Sequence, residues 1–378
     1  LFRDAPFGDT AVEEFDFLQL RAGFNFAWTH RHYYQARHAQ YNRDQWVNDL
    51  YLAMGQPGTH GRWVHLYLNG LYWGLYHVHE RPDGDFMASY FGGDSDDYDA
   101  LSSGQPKSGD TSAWTSMMAI ARGNIANPAQ YAAIQGYLDI DSLIDYMLLN
   151  FFVGNTDWDG HNWRAARKRE AGAGYLMLPW DSEFALSPNG PGVINNPQPL
   201  SNALNVNVTG RDGTSRPSGL HQDLSANAEY RMRFADRAHR HLFNDGALST
   251  ATAGAIWRAR SDLMDQAVVA ESARWGDFRY DVDSGRWQPG DFARYTRNQH
   301  YRQDQAWILR SYIPQRGAVL LGQLRSRNLY PLTEAPRFRQ HGGSVAVGQA
   351  LAISNPNPAG IVYYTCLLYT SDAADELC

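Results

Sequence analysis

The stretch WVHLYLNGLYWGLYHVHE, residues 63–80, decides the fold. Two runs rich in aromatic and β-branched residues, Trp63–Leu68 and Leu71–His79, flank the pair Asn69–Gly70. An Asn-Gly pair supplies the positive φ angles of a type I′ turn, which joins two antiparallel strands. The stretch therefore predicts a β-hairpin.

Upstream of the hairpin, the pattern predicts one strand, one loop and one helix. Phe15–Arg21 alternates apolar and polar side chains as a strand does, whereas His30–Tyr41 is polar and irregular, as in loops. The helix begins at Asn42, a good N-cap, and ends at Gly55, a natural residue just past a helix C-terminus.

Downstream of the hairpin, the pattern is mainly helical. The predicted helices are Gly84–Phe91, Thr111–Phe152 with breaks near Asn127 and Asp139, Ala226–Phe243, Leu248–Ala273 and Pro289–Ser326. The other predicted elements are an acidic loop over Gly92–Gly109, a second hairpin of Asn162–Lys168 and Tyr175–Trp180, a long loop over Ser187–Pro217, and strands at Ser344–Ser354 and Gly360–Thr365. This order predicts an α+β fold with a hairpin-rich front and a helical back half.

Composition excludes some classes of partner. The net charge of −7 argues against a nucleic-acid or membrane-surface footprint. No run of about 18 apolar residues exists, so we expect no membrane span in this fragment.

No signal peptide is visible, and the chain begins at Leu1 without a Met, so it looks cut at the front. Only Lys107 and Lys168 are lysines among 33 Lys and Arg residues.

Two polar segments carry the chemistry, NTDWDGHN at 155–162 and PWDSE at 179–183. Phosphoryl transfer needs carboxylates and amides for a metal ion, a carboxylate to orient the attacking hydroxyl, and cations for the phosphates. Kinases place a metal-binding Asn five residues after the catalytic-loop Asp, and a second metal-binding Asp follows. Asp157, Asn162 and Asp181 have that spacing. Taken alone, the spacing is a weak signal that occurs by chance in many proteins, and it favours an Asp/Asn-rich turn with local hydrogen bonds.

The chain resembles the spore coat protein H (CotH) kinase family over roughly residues 10–330. The resemblance is carried by YNRDQW at 41–46, VHLYLNGLYWGLYHVHERPD at 64–83 and the two polar segments. It implies a diverged protein-kinase-like fold, with an N-lobe of about 10–105 and a C-lobe of about 110–330. It also implies a bacterial enzyme that uses ATP with Mg2+ or Mn2+ to phosphorylate Ser or Thr of surface or exported proteins.

By motif, the resemblance makes Asp157 the catalytic-loop carboxylate and makes Asn162 and Asp181 metal ligands. It also makes Glu80, at the end of the hairpin, a partner for a cation or a nucleotide contact.

The phosphate-binding part of the resemblance is weaker. Related sequences often carry lysines upstream of the hairpin, and this chain has none there. Arginine can bind phosphate bidentately, so Arg21 is the first candidate for a nucleotide-binding cation and Arg43 the second. Arg43 fits a surface pair with Asp44 or Asp49 equally well. If no arginine takes the role, the alternative is a nucleotide-binding pseudokinase or a structural, adhesive surface protein.

Three other patterns favour ordinary structure over a site. His77 and His79 share one strand face and Glu80 points to the other, which argues against a histidine metal site. The acidic run Asp94–Asp99 lacks the Gly and distal Glu of a calcium loop, so we expect a solvated loop. The hairpin aromatics are better explained as packing than as sugar stacking.

The C-terminal end holds two further expectations. Residues 333–365 resemble the start of the small β-sandwich appended to chitobiase-type secreted enzymes, and two strands cannot bury a sandwich core. This resemblance favours a secreted or cell-surface protein. Residues 366–378 hold both cysteines, Cys366 and Cys378, and look like a sequencing adapter read as protein.

Overall fold

The structure is a computed structural model, which describes residues 7–8, 10–30, 32–190, 198–282 and 294–363. The chain divides into two compact units, residues 1–330 and 331–378. The first unit contains the hairpin and both polar segments. It mixes helices with small antiparallel sheets, so the fold is α+β.

A three-stranded antiparallel sheet forms the front of the first unit. Its strands are β1 (Leu18–Ala22), β2 (Gly61–Leu68) and β3 (Leu71–Glu80), in the order β1-β3-β2. The predicted hairpin is confirmed, with φ angles of 50° at Asn69 and 80° at Gly70. The strand expected at Phe15–Arg21 is confirmed only at its C-terminal end.

Two helices precede the hairpin in the chain, α1 (Tyr33–Arg37) and α2 (Arg43–Ala53). Helix α1 lies within the segment expected to be a loop. Helix α2 confirms the predicted helix, although the side chain of Asn42 makes no capping hydrogen bond. Its Trp46 is fully buried and meets Trp257 edge-to-face, with ring centroids 5.1 Å apart.

A second antiparallel sheet contains strands distant in sequence. They are β4 (Tyr98–Ser102), β5 (Gln105–Ser108), β6 (Trp163–Lys168) and β7 (Leu176–Pro179), in the order β5-β4-β6-β7. The β6–β7 hairpin was predicted and is confirmed. The prediction of a loop over Gly92–Gly109 is wrong, because this segment contains β4 and β5. Strand β4 has its hydrogen-bond partners on β6, over 60 residues later in the chain.

The remaining helices form the body behind the sheets. They are α3 (Gly84–Phe91), α4 (Ser112–Ala121), α5 (Pro128–Ile134), α6 (Ile140–Val153), α7 (Pro217–Leu224), α8 (Ala228–Leu242), α9 (Thr250–Trp275), α10 (Arg302–Trp307) and α11 (Ile313–Arg325). Five-residue π-helical segments at Arg297–Tyr301 and Ile308–Tyr312 flank α10. The predicted helices are confirmed apart from their ends, except that residues 294–296, inside the predicted helix Pro289–Ser326, are described and not helical. The expected loop over Ser187–Pro217 contains a 3-10 helix at Leu200–Asn205. No helix of the described part is long and apolar enough to cross a membrane.

Helix α6 lies at the centre of the main core. Every residue from Ser142 to Val153 is buried, so the helix has no solvent face. It ends at Gly154, whose left-handed conformation (φ 58°) redirects the chain. The first polar segment begins at the next residue, so it starts from a buried helix.

The second unit contains two short paired strands, β8 (Arg337–Phe338) and β9 (Ile353–Ser354). The strand expected over Ser344–Ser354 is therefore wrong except for its last two residues. Gly360–Tyr363 is not a strand, and the rest of that predicted element lies outside the described residues, as does the adapter-like segment 366–378. The resemblance to a sandwich module stays a prediction.

Candidate functional site

The first polar segment is a loop organised by asparagine side chains. Asn155 Oδ1 accepts a hydrogen bond from Asp157 N at 3.1 Å. Asn162 Nδ2 donates to the backbone O of Asp157 at 3.0 Å and to its Oδ2 at 3.2 Å. Asn162 has a φ of 63°, a conformation that asparagine tolerates better than most residues. The structure thus brings the two predicted residues, five positions apart, into direct contact.

The second polar segment follows the end of β7. Asp181 has a φ of 54°, uncommon for a residue other than glycine and a frequent feature of functional turns. The chain just after this segment is tied to the end of helix α6 by a hydrogen bond from Leu186 N to Val153 O at 2.8 Å. It is also tied to the first polar segment by a hydrogen bond from Thr156 N to Phe184 O at 3.4 Å.

The carboxylates of Asp157 and Asp181 lie close enough to influence each other. Burial raises the pKa of Asp157 above its ordinary value, and the charge of Asp181 adds to that effect. His161, whose Nε2 lies 3.2 Å from Asp157 Oδ1, acts in the opposite direction.

Arg21 lies at the centre of a second acidic group. Its Nη2 donates to Asp181 Oδ1 at 2.6 Å and to Glu183 Oε1 at 3.1 Å, and its Nη1 donates to Asp44 Oδ2 at 3.2 Å. Burial disfavours the charged guanidinium, but the three carboxylates raise its pKa above the ordinary value. Burial and the charge of Asp181 raise the pKa of Glu183 to about 7.

The acidic groups outnumber the cations that contact them. Asp44, Asp181 and Glu183 share one guanidinium, and among the described residues Asp157 has His161 as its charged contact at hydrogen-bond distance. Carboxylate and amide oxygens are the donors that hard divalent cations take. No group of three His, Cys, Asp or Glu side chains arranged for a metal ion was found among the described residues.

Arg43 is not on the helix surface. It is 1% exposed, and its guanidinium donates to Gln40 Oε1, to His38 O at 2.9 Å and to Glu183 O at 3.2 Å. Burial lowers its pKa to about 10. The expected surface pair with Asp44 or Asp49 is therefore wrong, because the side chain turns inward and supports loop backbone.

Asp49 pairs instead with Arg260, whose Nε donates to Asp49 Oδ2 at 2.6 Å.

Glu80 belongs to a separate, buried network. Its Oε2 accepts from His60 N at 2.7 Å, and its Oε1 accepts from Tyr90 OH at 2.6 Å. Within the described part of the chain, its carboxylate contacts neither Arg21 nor the two polar segments. Its nucleotide-binding role stays a prediction that this arrangement does not support.

The structure adds residues to which the sequence assigned no role. Asp44 and Glu183 stood inside quoted segments, next to Arg43 and two positions after Asp181, but only the fold shows that both contact Arg21. Trp180 packs under Arg164, whose guanidinium carbon lies 3.9 Å from the ring centroid.

His79 lies beside Trp180, with ring centroids 5.7 Å apart. Burial lowers its pKa to about 3, with a contribution from Arg21, so the imidazole is neutral.

An open cavity of about 390 Å³ lies beside Asp157. The loop Thr156–His161 forms one wall, and Arg211, Asp212 and Arg216 form the other. Arg211 fixes the loop by donating to Trp158 O at 2.7 Å and to Thr156 O at 2.6 Å. The cavity gives a second molecule access to the carboxylate of Asp157.

Comparison with sequence models of protein families identifies a match over most of the chain. A sequence model of the family described as CotH kinase protein matches residues 37–320, which include Asp44 and both polar segments but not Arg21. A search of curated proteins found no match.

Proposed function

The chain belongs to the CotH kinase family, and on that premise we propose that it transfers phosphate from ATP to Ser or Thr of other proteins. The observation that carries the proposal is the position of Arg21. From strand β1, its guanidinium contacts Asp44 on helix α2 and Asp181 of the second polar segment.

A protein kinase needs this arrangement. There, a strand lysine forms an ion pair with a helix glutamate, close to the aspartate that holds the metal. Arg21 and Asp44 supply a strand cation and a helix carboxylate in the same relationship, so the lack of an upstream lysine does not leave the site without its cation. This supports a diverged kinase-like fold, with an N-lobe of about 10–105 and a C-lobe of about 110–330.

The donor set suits Mg2+ or Mn2+. Asp181 and Asn162 would hold the ion, because a carboxylate and an amide oxygen are hard ligands and the surrounding charge is negative. Asn162 uses its Nδ2 to bind Asp157, which leaves its Oδ1 for a cation. When bound, the ion neutralises charge on the phosphate oxygens of ATP.

Asp157 orients the acceptor hydroxyl and accepts its proton. Asn155 and Asn162 fix its backbone and carboxylate, and burial with the nearby charge of Asp181 raises its pKa, which strengthens it as a base. The cavity beside it has room for the serine or threonine of a protein segment. Arg21 supplies positive charge on the nucleotide side.

The decisive experiment measures phosphate transfer from labelled ATP to a protein acceptor. We expect Asp181→Ala to abolish transfer, whereas Asp262→Ala, at an exposed position on α9, should leave it unchanged. Transfer that survives in Asp181→Ala would show that the assignment of Asp181 is wrong.

A second candidate is a pseudokinase that binds nucleotide without turnover, or a structural, adhesive surface protein. This candidate is favoured by the three carboxylates that form ion pairs with the Arg21 guanidinium, since the phosphates of a nucleotide must compete with them for it. A metal-dependent thermal shift with ATP but no transfer would select the pseudokinase. For either candidate, we propose a secreted or cell-surface location on the strength of the sandwich-like segment 333–365.

A further inference from the structure

Glu183 connects the second polar segment to the end of strand β1 through both carboxylate oxygens. Oε1 accepts from Arg21 Nη2 at 3.1 Å, and Oε2 accepts from the backbone N of Asn25 at 2.9 Å. The residue is only 2% exposed, so bulk water does not compete for these bonds. One side chain therefore holds both the guanidinium and the backbone that follows it.

Only a carboxylate satisfies both of these donors. Each oxygen of Glu183 faces an N–H group, so both positions require an acceptor. A glutamine has one acceptor oxygen, and its NH2 group would face either Arg21 or Asn25 N–H, donor against donor. This position therefore requires the two acceptor oxygens of a glutamate, and a glutamine of the same volume does not replace them.

The backbone of Glu183 is itself held in place. Its carbonyl O accepts from Arg43 Nη1 at 3.2 Å, and Arg43 is fixed in turn by Gln40 and by the carbonyl O of His38. The Glu183 carboxylate thus extends from a buried support towards Arg21. This is the arrangement expected of a residue that orients a functional group without touching the ligand.

We infer that Glu183 is a positioning residue, which fixes the guanidinium of Arg21 in the orientation that meets the phosphates of a nucleotide. The part of the inference that concerns nucleotide phosphates rests on the proposed function. The structural part of the inference does not need a nucleotide. It states that removing one acceptor oxygen of Glu183 increases the mobility of the Arg21 side chain and of the backbone from Arg21 to Asn25.

The first test needs no nucleotide. Amide hydrogen exchange is measured for Asn25 in the unmodified protein, in Glu183→Gln and in a matched control, Asp99→Asn. Asp99 is also buried and also accepts from a backbone N–H, that of Asp110 at 3.1 Å, on strand β4 of the second sheet. We expect Asn25 to exchange about tenfold faster in Glu183→Gln and to be unchanged in the control. Unchanged exchange in Glu183→Gln overturns the inference.

The second test is a double-mutant cycle on ATP affinity with Mg2+ present, by calorimetry. We expect Glu183→Gln to weaken binding roughly tenfold, the scale of one charge-assisted hydrogen bond. Because Glu183 acts through Arg21, the double variant Glu183→Gln with Arg21→Ala should bind no more weakly than Arg21→Ala alone. Additive losses would show that Glu183 acts independently of Arg21 and would overturn the inference.

The two tests separate the inference from the proposed function. If the unmodified protein binds no ATP, the proposed function fails, while the exchange of the Asn25 amide still decides whether Glu183 positions this segment.

Discussion

Arg21 and Asp181 form the shortest contact of the acidic group, with 2.6 Å between Nη2 and Oδ1. This ion pair joins a strand of the front sheet to the turn after β7. It brings together the two halves of the proposed site, the cation for phosphate and the carboxylate for the metal ion.

We first expect Arg21→Ala to lower phosphate transfer at least roughly 100-fold and Arg21→Lys to lower it about tenfold. Lysine keeps the charge, but its single ammonium cannot reach Asp44, Asp181 and Glu183 in the fork geometry of a guanidinium. Initial rates with labelled ATP measure both variants. Equal rates for lysine and arginine would mean that the fork geometry has no role.

Asp157→Asn should lower kcat by roughly 100- to 10,000-fold, the usual contribution of a positioned acid or base. The affinity for ATP should change little, because Asp157 faces the acceptor cavity. Single-turnover rates and calorimetric titration with ATP separate the two quantities. A large loss of ATP affinity with kcat retained would place Asp157 on the nucleotide side instead.

Glu271 should make stability depend on pH. It accepts from Leu75 N, and burial raises its pKa from the ordinary 4.5 to about 7. The folded protein therefore holds this proton more tightly than the unfolded chain does, so stability falls as pH rises from about 4.5 to about 7. The full effect is up to roughly 3 kcal/mol.

Urea unfolding of Glu271→Gln at several pH values measures the contribution of Glu271. The variant should lose this part of the pH dependence, so its free energy of unfolding relative to the unmodified protein should rise as the pH rises from about 4.5 to about 7 and stay level above that. A pH profile that the substitution leaves unchanged would contradict the assignment.

Asp145 should be far more important to stability than its neighbour Asp141. Asp145 is fully buried on α6 and accepts from Arg237 and from His241 Nε2 at 3.0 Å. Its removal deprives His241 of this carboxylate and leaves Arg237 with only its longer contact to Asp141 Oδ2, at 3.3 Å, so Asp145→Ala should cost about 3 kcal/mol.

Asp141→Ala is the matched control, one turn away on the same helix. Its side chain is 32% exposed and pairs with Arg233 at 2.6 Å and with Arg237 at 3.3 Å near the surface, so we expect a loss below roughly 1 kcal/mol. The midpoints of urea unfolding compare the two variants. Similar losses would show that water reaches Asp145 in solution.

Local sequence signals predicted the elements that depend on local chemistry. The turn at Asn69–Gly70 and the end of helix α2 before Gly55, whose φ is 83°, follow from residues that tolerate positive φ angles. Strand β4 was missed, because its partners on β6 lie far away in the chain and its acidic flank resembles a loop. Long-range pairing decided that segment rather than intrinsic preference.

The candidate site shows the same limit. The spacing of Asp157 and Asn162 predicted two side chains on one loop, and the structure brings them into contact. The roles of Asp44 and Glu183 could not be predicted from the sequence. Both residues contact Arg21, and the three side chains come from segments that are distant in the chain. Arg43 was misplaced for a related reason, since helix periodicity alone does not show which face of α2 the rest of the chain covers.

The pairing of β1 with β3 has a consequence for the chemistry of the site. Arg21 lies opposite His77 in this ladder, and Leu20, which is 47% exposed, lies opposite Val78. Neighbouring strand residues point to opposite faces, so a slip by one position would exchange them. The alignment of this five-residue strand thus determines whether Asp181 faces a guanidinium or an apolar side chain. An insertion that shifts the register by one residue would remove the ion pair with Asp181 without replacing any residue of the site.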